Sequence, residues 1–150
     1  MKILDYINEN SDKTIDIYFD MDGVLAEYDI GNFDYENIRP IDTAISFVKG
    51  LLDYKNINIY VLSVCKEDNV VNQKIEWFKK HMNFLNKDNI ILLSKENKDI
   101  SSDEYKSNYL KENINKTHLN IVVDDDIRII KVIKKNNEEV NIFHVSSIIK

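Results

Sequence analysis

The segment from Ile17 to Ala26 reads IYFDMDGVLA and decides the fold of this chain. Its apolar start predicts a buried strand that ends in two carboxylates, Asp20 and Asp22. Residues i and i+2 of an extended chain point to the same side, so these two side chains project together. An acidic turn is the plainer interpretation, since Asp and Gly are common turn residues. However, adjacent carboxylates repel each other, and a divalent cation or a carboxylate nucleophile beside a carboxylic acid explains the pair better. Gly23 then lets the backbone turn away from the strand end.

The composition is that of an ordinary globular protein, and the 150 residues fit a single domain, 1–150. The formal net charge of −6 argues against a nucleic-acid-binding surface. The lone cysteine, Cys65, excludes an internal disulfide, and no Cys/His grouping has zinc-ligand spacing. Because no apolar run is long enough for a signal peptide or a membrane span, we expect a cytoplasmic protein without membrane contact.

Strands and helices alternate along the sequence. Hydrophobic patterns predict strands over Thr14–Phe19, Ile57–Leu62, Ile90–Leu93, Leu119–Val123 and Val140–Val145, with helices over Ile41–Tyr54, Asp68–Met82, from Ser102 onward and over Ile127–Lys135. In the second of these helices, Val71, Ile75 and Phe78 are expected to share the apolar face. Such alternation predicts a three-layer α/β sandwich around a parallel, Rossmann-like sheet of about five strands.

Polar residues follow the ends of three predicted strands: the Asp20 and Asp22 pair, then Ser63, then Asp124 with its acidic neighbours. Ligands of open α/β sheets bind beyond the carboxyl ends of the strands. If these three strands are neighbours, the carboxylates and the hydroxyl meet in one crevice. Oxygen ligands suit a hard cation, and Mg²⁺ held by carboxylates, water and a substrate phosphate is the natural choice.

These residues also carry a family resemblance. FDMDGVLA over 19–26 resembles the first motif of the haloacid dehalogenase-like (HAD) hydrolases, which are mostly Mg²⁺-dependent phosphatases. VLS over 61–63 and IVVDDD over 121–126 resemble the second and fourth motifs, in the family's order. The resemblance implies that Asp20 attacks phosphorus and forms an aspartyl-phosphate. It implies that Asp22 protonates the leaving oxygen and then activates water.

The same resemblance implies the ligands of metal and phosphate. Ser63 would bind a phosphate oxygen, and Asp124 and Asp125 would hold Mg²⁺ together with Asp20 and Asp22, which places all four carboxylates at the metal. The main-chain carbonyl of Met21 is a further metal ligand by this reasoning. Asp126 is better explained as an acidic residue at a helix N-terminus, where negative charge is favourable.

The third motif is a lysine that neutralises the phosphate and the nucleophile. Lys106, in the run KSNYLKEN before the Asp124 strand, is the preferred candidate for both a catalytic and a phosphate-binding role. Lys95 and Lys98, after the third predicted strand, are the alternatives. Geometry must decide among the three lysines.

Four segments look most like the deoxyribonucleotidase branch of the superfamily, which implies a nucleoside monophosphate as the phosphate monoester substrate. They are FDMDGVLAEY over 19–28, RPI over 39–41, KIEWFKKH over 74–81 and HVSS over 144–147. That branch carries a helical cap after the first motif, whereas Tyr28 to Pro40 leaves room only for a short flap. Within this flap, Tyr28, Phe33 and Tyr35 could stack on a base or pack the loop.

Two alternatives have a different function. A receiver module of the response-regulator type also carries clustered Asp residues, but its phospho-accepting Asp follows the third strand, where this chain has Leu93 and Ser94. A non-catalytic binding protein with the HAD fold would be expected to have lost at least one of the site residues. The intact set therefore favours an enzyme.

Overall fold

Five parallel strands form one sheet in the computed structural model, which describes residues 1–28, 31 and 34–148. Numbered along the chain, the strands are β1 (Ile15–Phe19), β2 (Ile57–Cys65), β3 (Ile90–Ser94), β4 (Leu119–Asp124) and β5 (Val140–His144). Their order in the sheet is β3-β2-β1-β4-β5, and every pairing is parallel. The strand that carries Asp20 and Asp22 at its end is therefore central, with β2 and β4 beside it, as the predicted crevice requires.

The helices, again numbered along the chain, are α1 (Ile3–Glu9), α2 (Asp42–Leu51), α3 (Asp68–His81), α4 (Ser102–Asn113) and α5 (Ile127–Asn136). Every predicted helix and strand is present, with ends shifted by a few residues. Two short 3-10 helices, Lys87–Asn89 and Val145–Ile148, complete the described structure.

The side chains of β1 divide between two cores, one on each face of the sheet. Ile17 and Phe19 belong to a core with residues of α1, α2 and α3. Tyr18 points the other way and packs with Leu110 of α4 and Ile133 of α5. This alternation is the period-2 pattern of a strand covered on both faces. The predicted three-layer α/β sandwich is confirmed.

The buried face of α3 differs from the predicted one. Of the expected apolar residues, Phe78 is buried, but Ile75 is 38% exposed. The buried residues of α3 are Val70, Lys74, Trp77 and Phe78. The larger Trp77 lies on the core face, and its indole N–H donates to the carbonyl of Ile38 over 2.8 Å. Because α3 buries this face and not the predicted one, a lysine, Lys74, lies against the sheet.

The segments 20–41 and 95–101 are the places where a cap domain could be inserted. Their described residues form turns and isolated bridges, Asp22 with Ala26 and Ala26 with Pro40, and no helix or longer strand. The described part of the chain therefore has no cap over the carboxyl edge of the sheet. None of its helices is both long enough and apolar enough to cross a membrane.

Candidate active site

The carboxyl ends of β1 and β4 place two aspartates side by side. Phe19 pairs with Val123 in the sheet, and the Asp20 N–H donates to the Val123 carbonyl over 3.0 Å. Asp20 is the residue after β1, and Asp124 is the last residue of β4. The two aspartates therefore lie side by side at the ends of neighbouring strands. Asp124 is fully buried, and Asp20 is 9% exposed.

Ser63 lies inside β2, whereas the sequence suggests that it follows the strand. The strand continues to Cys65 because it pairs with β3 beyond the end of β1, Cys65 lying opposite Ser94. Since Phe19 pairs with Val61, Ser63 lies two residues further along, beside the chain that leaves β1. The buried Ser63 hydroxyl therefore faces the carboxylates from the neighbouring strand.

Lys106 connects the two aspartates. It lies on the buried face of α4, and its Nζ is 3.0 Å from Asp20 Oδ1 and 2.9 Å from Asp124 Oδ2. Burial lowers the pKa of this ammonium, but the two carboxylates raise it more, so the net shift is upward and the charge is retained. Of the alternatives, Lys98 is exposed, with its Nζ over the Tyr105 ring. For Lys95 the described hydrogen bonds are those of its backbone.

Asp20, Asp124 and Asp125 each offer an oxygen to one point, since the three ligand atoms lie within 4.8 Å of one another. Burial, opposed by Lys106 and reinforced by Asp124 and Asp22, raises the pKa of Asp20 to about 7. Burial and the Asp124 charge raise the pKa of Asp125 to about 6. The donor set is oxygen only and carries more negative charge than Lys106 balances, which fits a hard divalent cation such as Mg²⁺.

Two of the expected metal ligands are engaged elsewhere. Among the described residues, the acidic group consists of Asp20, Asp124 and Asp125 and does not include Asp22. Asp22 Oδ2 instead accepts a hydrogen bond from Lys74. The Met21 carbonyl points into the turn, where it accepts from the N–H groups of residues 24–26 at 2.9–3.2 Å. The Met21 prediction is therefore wrong, because the turn after β1 uses this carbonyl to hold its own backbone.

Lys74 is a further residue of the site that was not predicted from the sequence. It is 1% exposed, and its Nζ is 2.9 Å from Asp22 Oδ2 and 3.0 Å from Ser63 Oγ. Burial lowers its pKa, while the Asp22 charge raises it, with a net upward shift. A signal for it was present in the sequence. Lys74, Trp77 and Phe78 have helical spacing, and a lysine on a buried helix face needs a charged partner.

Asp126 is the N-cap of α5. Its Oδ1 accepts from the Arg128 N–H over 2.9 Å, and its Oδ2 lies 3.1 Å from the Arg128 guanidinium. The backbone N–H of Asp126 in turn donates to Asp124 Oδ1 over 3.0 Å. Asp126 therefore shapes the turn that carries Asp124 and Asp125, as expected of an acidic residue at a helix start.

These side chains share an open cleft of about 290 Å³. Its described lining comprises the site residues Asp20, Asp22, Ser63, Lys106 and Asp125, with Tyr28, Val64, Ser102, Asp126, Arg128 and Ile129 around them. Tyr28 is 65% exposed at this cleft. Tyr35 instead packs the loop, since its backbone N–H donates to Gln73 Oε1 and its ring lies 5.2 Å from Lys74 Nζ. Phe33 is outside the described residues.

No protein-family model and no curated protein sequence matches the chain. Solved structures do. A chain of the Pnkp1/Rnl/Hen1 RNA repair complex superposes with a TM-score of 0.68 at 15% identity, over 89% of this chain and 42% of that one. The N-terminal part of a Bacteroides fragilis protein, which contains a phosphatase domain complexed with Mg, gives 0.57 at 18% identity, over 87% and 35%.

The HAD domain of the Legionella pneumophila effector Lem4 gives a TM-score of 0.51 at 16% identity, over 88% of this chain and 85% of that domain. The chain has the HAD-like fold. It spans less than half the length of the first two solved chains. At such low identities the likeness concerns the fold. The strand order β3-β2-β1-β4-β5 also differs from the 2-1-3-4-5 order of receiver modules, so that alternative is wrong.

Proposed function

We propose that the protein is a Mg²⁺-dependent phosphomonoesterase that works through a phosphoryl intermediate on Asp20. The observation that carries the proposal is the position of Asp20. Its carboxylate contacts the Lys106 ammonium, forms an acidic group with Asp124 and Asp125, and lines an open cleft. A nucleophilic carboxylate beside a cation and a metal site is the arrangement that phosphoryl transfer needs.

The reaction has two steps. In the first, an Asp20 oxygen forms a bond to phosphorus, the bond to the ester oxygen breaks, and Asp22 gives that oxygen its proton. In the second, Asp22 takes a proton from water, the water oxygen bonds to phosphorus, and the bond to Asp20 breaks. Phosphate is released, and both carboxyl groups return to their starting states.

The remaining residues hold the phosphoryl group. Lys106 lines the cleft and places its positive charge beside Asp20, where negative charge accumulates during transfer. Ser63 contributes a hydroxyl at the same cleft. Asp20, Asp124 and Asp125 would hold Mg²⁺. When bound, the ion draws charge from the phosphoryl oxygens and balances the three carboxylates. The Mg complex of the Bacteroides fragilis neighbour supports this choice of metal.

For the substrate we propose a nucleoside monophosphate, on the resemblance of residues 19–28 and 74–81 to the deoxyribonucleotidase branch. An exposed aromatic ring at the cleft, that of Tyr28, supports this proposal because bases stack on such rings. The uncapped edge would also admit larger phosphate esters. A Tyr28→Ala variant should lose kcat/KM for nucleoside monophosphates while hydrolysis of a small alkyl phosphate stays unchanged.

A phosphatase screen tests the proposal. Purified protein is assayed with Mg²⁺ and with excess chelator against an aryl phosphate, nucleoside monophosphates, sugar phosphates and phosphopeptides. We expect hydrolysis with Mg²⁺ alone, and its loss in Asp20→Asn. Activity that survives chelation would remove the metal from the proposal. No hydrolysis of any substrate would favour the non-catalytic binding protein.

A further inference from the structure

Lys74 is buried against the active-site edge, yet it is not among the described residues that line the cleft. Its Nζ has three acceptors: Asp22 Oδ2 at 2.9 Å, Ser63 Oγ at 3.0 Å and the Val64 carbonyl at 3.5 Å. An ammonium group has three hydrogens and no acceptor capacity. Lys74 therefore has no hydrogen left for a phosphate oxygen unless it gives up one of these bonds.

Lys106 differs in both respects. It lines the cleft, and two carboxylate oxygens accept from its Nζ, so one of its three hydrogens remains for a phosphate. The two buried lysines thus occupy different places. Lys106 lines the cleft, and Lys74 lies behind two of the residues that line it, Asp22 and Ser63.

The Lys74 contacts determine which atoms of its two partners remain available. Asp22 Oδ2 is taken by Lys74, while Asp22 Oδ1 is buried without a hydrogen-bond partner in the described structure. A buried polar oxygen without a partner is costly and points to a group that the site is built to receive. Ser63 Oγ accepts from Lys74, so the serine hydrogen is not used in this contact and can donate to a phosphate oxygen.

We propose that Lys74 is the positioning residue for proton transfer by Asp22, an inference that rests on the proposed phosphatase function. By holding Asp22 Oδ2, it leaves Oδ1 as the unpaired oxygen that exchanges the proton with the ester oxygen, and by holding Ser63 Oγ it leaves the serine hydrogen for the phosphoryl group. Tyr35 covers Lys74 on the flap side, with its ring centroid 5.2 Å from Nζ. The Tyr35 ring thereby keeps the ammonium in place.

If Lys74 positions the general acid, its loss should change how the rate of hydrolysis depends on the leaving group of the ester. A phenolate leaves an aryl phosphate without help, whereas an alkoxide leaves an alkyl phosphate only with a proton from the general acid. A residue that positions the acid matters much more for the alkyl ester. A residue that merely supports the fold affects both esters equally.

The test compares kcat/KM for p-nitrophenyl phosphate and for a primary alkyl phosphate, both with Mg²⁺, in the variants Lys74→Met, Asp22→Asn and the double variant. Lys79→Met is the matched control, since Lys79 is exposed on the same helix. We expect Lys74→Met to lose about tenfold or more in activity on the alkyl ester beyond its loss on the aryl ester. In the double variant, the loss on the alkyl ester should not exceed that of Asp22→Asn alone, because both changes remove one function.

Thermal unfolding of each variant accompanies the kinetics. If Lys74→Met does not fold, Lys74→Arg keeps the charge but cannot place one nitrogen among the three acceptors, and it should show the same bias against the alkyl ester. Equal losses on both esters, or additive losses in the double variant, would overturn the role of Lys74 while the phosphatase function stands. If the wild-type protein hydrolyses neither ester, the proposed function fails, and the role of Lys74 fails with it.

Discussion

Gly23 lies directly beneath the Asp125 carboxylate, with no room between them for a β-carbon. A β-carbon at Gly23 would overlap Asp125 Oδ2, and the backbone φ of Gly23 is +77°. The glycine is therefore required twice, for the left-handed conformation of the turn and for the close approach of Asp125, the residue after β4. The turn after β1 and the acidic loop after β4 consequently fit against each other.

Gly23→Ala should separate these two loops. The left-handed conformation costs about 1–2 kcal/mol for a residue with a β-carbon, and Asp125 must move as well. We expect a lower melting temperature and at least tenfold weaker Mg²⁺ binding, both measured by thermal unfolding over a Mg²⁺ titration. Gly50→Ala is the control, since Gly50 lies in α2 with open space around it and should be stabilised by about 0.5–1 kcal/mol. Unchanged Mg²⁺ binding in Gly23→Ala would show that Asp125 does not hold the ion.

Lys106→Met should reduce both activity and stability. It leaves the buried carboxylates of Asp20 and Asp124 without their shared cation, a change that costs about 3–5 kcal/mol. Denaturant unfolding at neutral pH measures this loss, and Mg²⁺ should restore part of it. Lys98→Met should stay within about 0.5 kcal/mol of wild type and keep its activity, because Lys98 is exposed. A larger loss of activity in Lys95→Met or Lys98→Met would move the third-motif lysine to the loop after β3.

Mg²⁺ should stabilise the folded protein. An ion that binds the folded state alone adds RT ln(1 + [L]/Kd), about 2.7 kcal/mol at a hundredfold excess over Kd. Asp125→Asn should abolish most of this gain and should also leave the metal-free protein as stable as wild type or more so, because a carboxylate with a raised pKa is removed. Asp53→Asn, at an exposed position, is the control. A full Mg²⁺ shift in Asp125→Asn would place the ion elsewhere.

The metal-free protein should lose stability as the pH rises from about 5 to about 8. The pKa of Asp20 is raised to about 7 and that of Asp125 to about 6, so the folded state holds these protons more tightly than the unfolded chain. Their contribution is complete below the unfolded pKa near 4 and disappears as the pH rises through the folded values. The lowered pKa values of Asp103 and Asp126 act below this window.

The measurement is the free energy of unfolding in the presence of chelator, taken as a function of pH across this range. Asp20→Asn should flatten this pH dependence. Mg²⁺ should also flatten it for the wild-type protein, since the ion favours the ionised carboxylates. An equal slope in wild type and Asp20→Asn would mean that other groups cause it.

Much of the fold could be predicted because strand and helix periodicities are local. The run before Asp20 is apolar enough to predict a strand, whereas its central position in the sheet comes from the pairing with β2 and β4, which the sequence left open. Lys106 could also be predicted from the sequence as one of three candidate lysines, but only the fold determines which of them lies near Asp20. The end of β2 could not be predicted, because Ser63 and Cys65 remain in the strand through pairing with β3.

Lys74 was missed for a different physical reason. The helix pattern from Val71 to Phe78 is compatible with two buried faces, one that includes Ile75 and one that includes Lys74. The apolar Ile75 favours the first face, but Ile75 is exposed in the structure. Packing of the larger Trp77 selects the other face and turns Lys74 inward. The pairing of Lys74 with Asp22, a residue distant in sequence, is a property of the tertiary structure alone.

The most direct test of the mechanism is to trap the phosphoryl group on Asp20. The protein is mixed with an aryl phosphate and Mg²⁺, quenched in acid within one turnover, digested, and examined by mass spectrometry. We expect a phosphorylated peptide modified at Asp20, more abundant in Asp22→Asn and absent in Asp20→Asn or with chelator. Steady hydrolysis by the wild type without such a peptide, together with near-wild-type turnover in Asp20→Asn, would contradict the account.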